Sequence, residues 1–323
     1  MKTLDLLARL AIMAAGIVLW MSNAIAQAPV SGVFFSEGWE SGATGATFNS
    51  RNYGSTTSPQ FRVQSAVRAS GGFALEHVLT AGLGAGSIHY ATQHFGDAVS
   101  GPVHPVGQGQ HFFDLYVQFR VYYSPNFDVT NSRPKQFIIG TQDERRHDAT
   151  CCNPWVSNYL TIFPPGPTWG ITVGEANAKQ ATSGQFAGLV QNRGGYSAAN
   201  PFVTQTGRWY TVEVRRRLND PGVRNGVFQM WVDGALIAEY ASVLYRVPFD
   251  GTFGSNMAYG TNFAMISDYM ANGSNRDQSI FYDDVKFSTT PIGVGSTLPT
   301  APTNLRIIVP PGPSDLLGSS YLK

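Results

Sequence analysis

The run Phe112–Tyr123 constrains this chain most, because its polarity alternates residue by residue. Leu115, Val117, Phe119 and Val121 fall on one side of an extended backbone, and Tyr116, Gln118, Arg120 and Tyr122 on the other. A period of two suits a strand with one face on a core, whereas a helix would scatter the same apolar residues around its circumference. Runs of this kind recur between Gly, Asn, Pro and Ser turns as far as residue 290. The predicted strands are Gly72–Leu79, Ser87–His94, Phe112–Tyr123, Lys135–Gly140, Tyr159–Phe163, Trp209–Leu218, Val227–Val232, Ala235–Tyr240 and Ser279–Phe287. Asp233-Gly234 separates two of them, the pairing that a two-residue hairpin turn demands. With no convincing amphipathic helix, the pattern predicts an all-β chain of antiparallel sheets packed face to face.

Composition agrees, and it narrows the function classes. Only 13% of residues are charged, aromatics reach 12% and Gly numbers 35, which leaves few helix formers. Lys2 and Arg9 flank a positive start, Leu10 to Met21 is uncharged and apolar, and Ala24-Ile25-Ala26 is a small-x-small cleavage site. That layout predicts a signal peptide over 1–26 and a secreted or periplasmic product with no membrane partner after cleavage. The apolar run falls short of the roughly 20 residues a membrane span needs. Of 22 basic and 21 acidic residues, 20 of each remain after cleavage. A neutral chain argues against a nucleic-acid partner, which would call for a basic stripe. Cys151 and Cys152 are adjacent, so they build no disulfide framework; a vicinal disulfide and two free thiols both stay open.

The length suits one large β domain over 27–290, expected to be a monomer. Residues 291–323 read as a Pro/Gly/Ser-rich linker followed by a stub resembling the opening strand of a fibronectin type III module.

Several segments carry a more specific likeness. They are Phe35–Gly42 (FSEGWESG), Leu115–Asp128 (LYVQFRVYYSPNFD) with Lys135–Gly140 (KQFIIG), Gly207–Tyr240 with its Trp-x-Asp-Gly hairpin, and Tyr269–Thr289. Together they resemble the polysaccharide-lyase branch of the concanavalin A-like superfamily, nearest to the alginate lyases of the family-14 type. The resemblance implies a two-sheet antiparallel jelly-roll sandwich over most of 33–290, and it puts Lys135 where the family's groove lysine stands. Ser157 matches a groove serine; Tyr159 stands where the family has an arginine, and Trp169-Gly170-Ile171 where it has a tyrosine pair.

A lyase acting on a uronic-acid polymer must neutralise the sugar carboxylate, remove the neighbouring proton and protonate the leaving oxygen. The predicted catalytic residues are Lys135, Tyr159 and His94. The predicted substrate-binding residues are Gln118, Arg120, Gln136 and Ser157, with Trp155 and Trp169 as aromatic platforms for sugar rings. Tyr122 is a further platform candidate, while Trp209 and Trp231 read as core. A standard jelly-roll hydrolase is improbable: no two carboxylates stand two apart, and the pair four apart, Glu144 and Asp148, sits in a polar loop-like stretch. A structural calcium held by Glu37, Glu40, Asp283 and Asp284 would clamp the first and last strands; no other cofactor is expected. Three functions stay open: a polysaccharide lyase, a non-catalytic carbohydrate-binding module, and a structural or adhesive surface protein.

Overall fold

The computed structural model of the protein describes residues 31–42, 49–53, 60–84, 88–98, 107–129, 134–141, 159–163, 170–173, 193–197, 204–221, 223–246, 258–270 and 273–293. Within these, 49–53, 88–90, 134–135, 159–163, 170–173, 193–197 and 267–270 are described as backbone. Every regular element among the described residues is a strand: Val33–Glu37 (β1), Asn49–Tyr53 (β2), Phe61–Gln64 (β3), Ala74–Leu79 (β4), Ile88–His94 (β5), Asp114–Tyr123 (β6), Pro134–Gly140 (β7), Tyr159–Phe163 (β8), Gly170–Val173 (β9), Arg193–Ser197 (β10), Trp209–Arg217 (β11), Gly226–Val232 (β12), Ala235–Val243 (β13), Phe263–Met270 (β14) and Gln278–Ser288 (β15). No helix among the described residues is long and apolar enough to cross a membrane.

The strands form two antiparallel sheets, a jelly-roll sandwich. One sheet is eight-stranded, in the order β13-β12-β11-β6-β15-β4-β3 with β1 also paired to β15; the other is seven-stranded, β10-β9-β8-β7-β14-β5-β2. The alternation read in β6 decides how they meet. Leu115, Val117, Phe119, Val121 and Tyr123 enter the main core, where Phe137 and Ile139 from β7 meet them. Phe119 stacks on Phe137 across the gap, with centroids 4.3 Å apart and planes within 6°. The Asp233-Gly234 hairpin forms as its sequence demands: both residues have positive φ, 48° and 86°, the signature of a type I′ turn.

The last strand changes partners half-way. Gln278–Tyr282 pair with β4, whereas Val285–Ser288 pair with β1. A bulge between Asp283 and Lys286 makes the switch, and Asp284 sits there at φ 48°. Asp283 Oδ2 accepts the amides of Ala69 and Ser70, and the Ser70 hydroxyl donates to Asp284. Two adjacent acids therefore hold a loop against the point where β15 leaves one neighbour for another.

At one end of the sandwich, the segment leading into β14 runs close against the approach to β6. A Cβ on Gly260 would overlap the backbone nitrogen of Phe112. Backbone cannot yield as a flexible side chain does, so Gly260→Ala is expected to cost about 1–3 kcal/mol, read as a lower urea midpoint at unchanged slope.

Candidate functional site

The outer face of the seven-stranded sheet is the candidate groove. Ala91, Phe137, Ile139, Ala264 and Ile266 on its strands point into the main core. Ile138 and Phe263, with Met265 packed on them, form a separate small cluster on the opposite face. His94 joins this face, its ring 6.4 Å from that of Phe263.

Register then brings two predicted catalytic residues into one line. His94 is opposite Phe263, Phe263 is opposite Gly140, and Gly140 is opposite Tyr159, a transverse row over β5, β14, β7 and β8. Three strand spacings separate its ends, about 14 Å at the backbone. Gly140, near the middle of that row, contributes no side chain to the floor. Lys135 lies further along β7, opposite Tyr269 on β14. The five steps from Lys135 to Gly140 span about 16 Å of strand. The same sheet thus carries Lys135, His94 and Tyr159, and register adds Tyr269 as Lys135's neighbour. Tyr269 was missed because a strand pairing 134 residues away leaves no local mark on the sequence.

The other predicted residues are placed elsewhere. Gln118 and Arg120 stand on the outer face of the eight-stranded sheet, on the far side of the sandwich. Gln118 Nε2 donates to buried Glu213, and Arg120 lies 3.4 Å from Asp284. The Gln136 side chain turns to the core instead of the groove, where Tyr123 donates to its Oε1 at 2.7 Å. Burial pushes the Tyr123 hydroxyl far above its usual range, so Tyr123 acts as a fixed neutral donor. Ser157, Trp155, Trp169, Cys151 and Cys152 lie outside the described residues, as do the predicted signal segment 1–26 and the residues beyond 293.

The acids expected to hold calcium gather near one corner, but as loop clamps. Glu37 accepts the Trp39 amide, Glu40 accepts the Gly72 amide, and Asp283 takes the amides of Ala69, Ser70 and Asp284. No set of three His, Cys, Asp or Glu suited to a metal occurs among the described residues.

A second polar knot closes the end of the sandwich. Asp97 accepts from Gly260 N and Asn262 Nδ2, and its Oδ2 lies 2.6 Å from His111 Nδ1. Burial pushes the Asp97 carboxyl above its usual range, against the pull of these hydrogen bonds; burial raises Asp283 and Glu37 as well. For all three the native state binds protons more tightly than the unfolded chain. Their contribution is therefore complete below the unfolded carboxyl values and is lost as pH rises through the raised folded ones. Thermal melts from pH 7 down to pH 4 are expected to show rising stability from these groups, with a shallower rise in Asp97→Asn. An unchanged slope in that variant would mean that Asp97 titrates normally.

No protein-family model matches the sequence, and no curated protein matches it. The fold, however, is shared with solved structures. The endo-β-1,4-glucuronan lyase of the fungus Trichoderma reesei superposes with a TM-score of 0.53 at 17% identity, over 79% of this chain and 95% of that one. The chain has the same jelly-roll fold. Weaker superpositions join it: an alginate lyase, Aly36B, with an alginate trisaccharide bound, at TM-score 0.48, 13% identity and 81% and 100% coverage. Alginate lyase vAL-1 from Chlorella virus follows at 0.47, 12% identity and 76% and 93% coverage.

Proposed function

We propose that this protein is an exported polysaccharide lyase that cleaves a uronic-acid-containing glycan by β-elimination on the seven-stranded sheet. The observation that carries the reading is the collection of Lys135, His94 and Tyr159 on one sheet, with His94 and Tyr159 in a single transverse row. Support also comes from the glucuronan lyase that shares the fold, a protein whose substrate is a polymer of uronic acid. The signal segment 1–26, a monomeric domain over 27–290 and the Pro/Gly/Ser-rich segment 291–323 belong to the same reading.

The chemistry assigns roles. Lys135 pairs with the sugar carboxylate, which makes the adjacent C–H more acidic. A base, His94 or Tyr159, removes that proton. The electron pair forms a carbon–carbon double bond as the glycosidic C–O bond breaks, and the leaving oxygen takes a proton from the other partner. One new unsaturated end results per cleavage, with no water consumed and no redox change.

The test follows the double bond. Mature protein is mixed with polyglucuronate, alginate and pectate, and absorbance near 230 nm is followed; the double bond conjugated to the carboxylate absorbs there. A steady rise on a polyuronate is the expected result. No rise on any of these, together with retention on an immobilised polymer, makes the protein a binding module and removes the catalytic assignments.

A further inference from the structure

Three aromatic side chains stand in one row on the outer face of the eight-stranded sheet, on the far side of the sandwich from the groove. Trp209 on β11 is opposite Tyr122 on β6, which is opposite Phe281 on β15. Neighbouring centroids are 5.5 and 5.6 Å apart. Trp209, read from its sequence context as core, is only half-buried. The outward face of an antiparallel sheet is normally polar, so a row of rings there calls for a reason.

The surroundings supply one. The loop at 66–71 and the rings of Tyr122 and Trp209 line an open cleft of about 470 Å³. Beyond Phe281 a second cleft of about 350 Å³ opens beside Arg62 and Asn126. Neither Trp209 Nε1 nor Tyr122 Oη makes a hydrogen bond among the described residues, so both are available to a ligand. Arg68 is the one charged residue lining the larger cleft. It donates to the carbonyls of Ser65 and Gly71 and has no carboxylate partner among the described residues. The C-terminal segment crosses this face elsewhere: Ile292 N donates to Glu213, which is opposite Gln118, four residues before Tyr122 on β6.

Phe281 is buried, so the open part of the row is Trp209 and Tyr122. We propose that this part is a second, non-catalytic binding site for a short run of acidic sugar residues. Pyranose rings present apolar C–H faces to aromatic rings, while their hydroxyls meet the free Trp209 N–H and Tyr122 O–H. A uronate carboxylate pairs with Arg68, whose guanidinium suits planar carboxylates. A cleft lined by two aromatic rings, small loop residues and one cation, Arg68, suits this anionic occupant. The ligand class rests on the polysaccharide reading above, but not on any catalysis. A site on the opposite sheet lets one domain hold a polymer at two places, which raises the effective concentration of chain at the groove.

Retention on immobilised alginate and on immobilised polyglucuronate at low salt tests it, using the mature protein, Trp209→Ala, Arg68→Ala and the groove variant Lys135→Ala. Trp209→Ala and Arg68→Ala are each expected to weaken retention about tenfold, equal to about 1.4 kcal/mol. Turnover of a trisaccharide, too short to reach both faces, stays unchanged in both. Should Trp209→Ala fold poorly by circular dichroism, Arg68→Ala on its exposed loop carries the test alone. Retention equal to the parent protein in both folded variants overturns the proposal, as does a parent protein that neither polymer retains. Retention lost in Trp209→Ala with no elimination by the parent upholds this site while the lyase reading fails.

Discussion

Phe119→Ala lowers the melting temperature by roughly 10 °C. Emptying a core aromatic costs about 3–5 kcal/mol, and for a domain of this size each kcal/mol moves the midpoint by about 2–4 °C. Phe119 belongs at the upper end because its ring is 1% exposed and joins the two sheets. It stacks on Phe137 at 4.3 Å and lies 6.4 Å from the Tyr282 ring. Truncation removes the ring stack between β6 and β7, and the strands around it are pinned by their own ladders, so the void cannot close. Phe119→Leu, which keeps most of the volume, is expected to recover more than half of the loss. Calorimetry on both variants decides the matter; a drop under 3 °C for alanine would show that the sheets can settle onto each other. Because Phe137 lies two residues from Lys135 on β7, groove function should weaken in Phe119→Ala before global unfolding is reached.

The fold was legible where one face of a strand meets the core and the other meets water. In β6, alternation named the inward residues correctly, and the Asp-Gly pair located the β12–β13 hairpin. Legibility failed where both faces of a strand are covered. In β14, Ala264 and Ile266 face the main core while Phe263 and Met265 make a cluster on the other side. No polarity contrast survives there, and this strand, which lies between β5 and β7, was not predicted. Strands β2, β3, β9 and β10, each of only four or five residues, were also unpredicted.

The site was less legible than the fold, since alternation tells which face a residue takes but not which sheet it joins. Gln118 and Arg120 were rightly read as facing away from the core, yet that face belongs to the eight-stranded sheet. The inward turn of Gln136 depends on Tyr123, a partner on the opposite sheet. Asp283-Asp284 has the look of a ligand pair, and in the fold it serves a bulge and a loop. His94 is read from its chemistry and Tyr159 also from the family resemblance; only long-range pairing shows that their strands set them in one row.

Replacing Lys135 with alanine reduces eliminative turnover by about 100- to 1,000-fold, the loss that follows removal of one preorganised group facing a developing negative charge. The loss should fall mainly on kcat. In the ground state the sugar carboxylate is solvated and needs little from the protein, whereas in the transition state the charge spreading from the abstracted proton requires a fixed cation. Arg at position 135 keeps the charge and should restore part of the rate; Gln keeps a donor without the charge and should restore less. His94→Ala and Tyr159→Phe test the other half of the assignment, each expected to slow turnover by about 100-fold or more if it moves a proton in the rate-limiting step. The two make separable predictions about pH: loss of a histidine base removes the acidic limb of the rate profile, while loss of a tyrosine alters the alkaline limb. A Lys135→Ala variant that turns over polyuronate at the parental rate would remove β7 from the chemistry. The row from His94 to Tyr159 would then have to neutralise the carboxylate without a lysine, a task for which neither an imidazole nor a phenol carries a permanent charge.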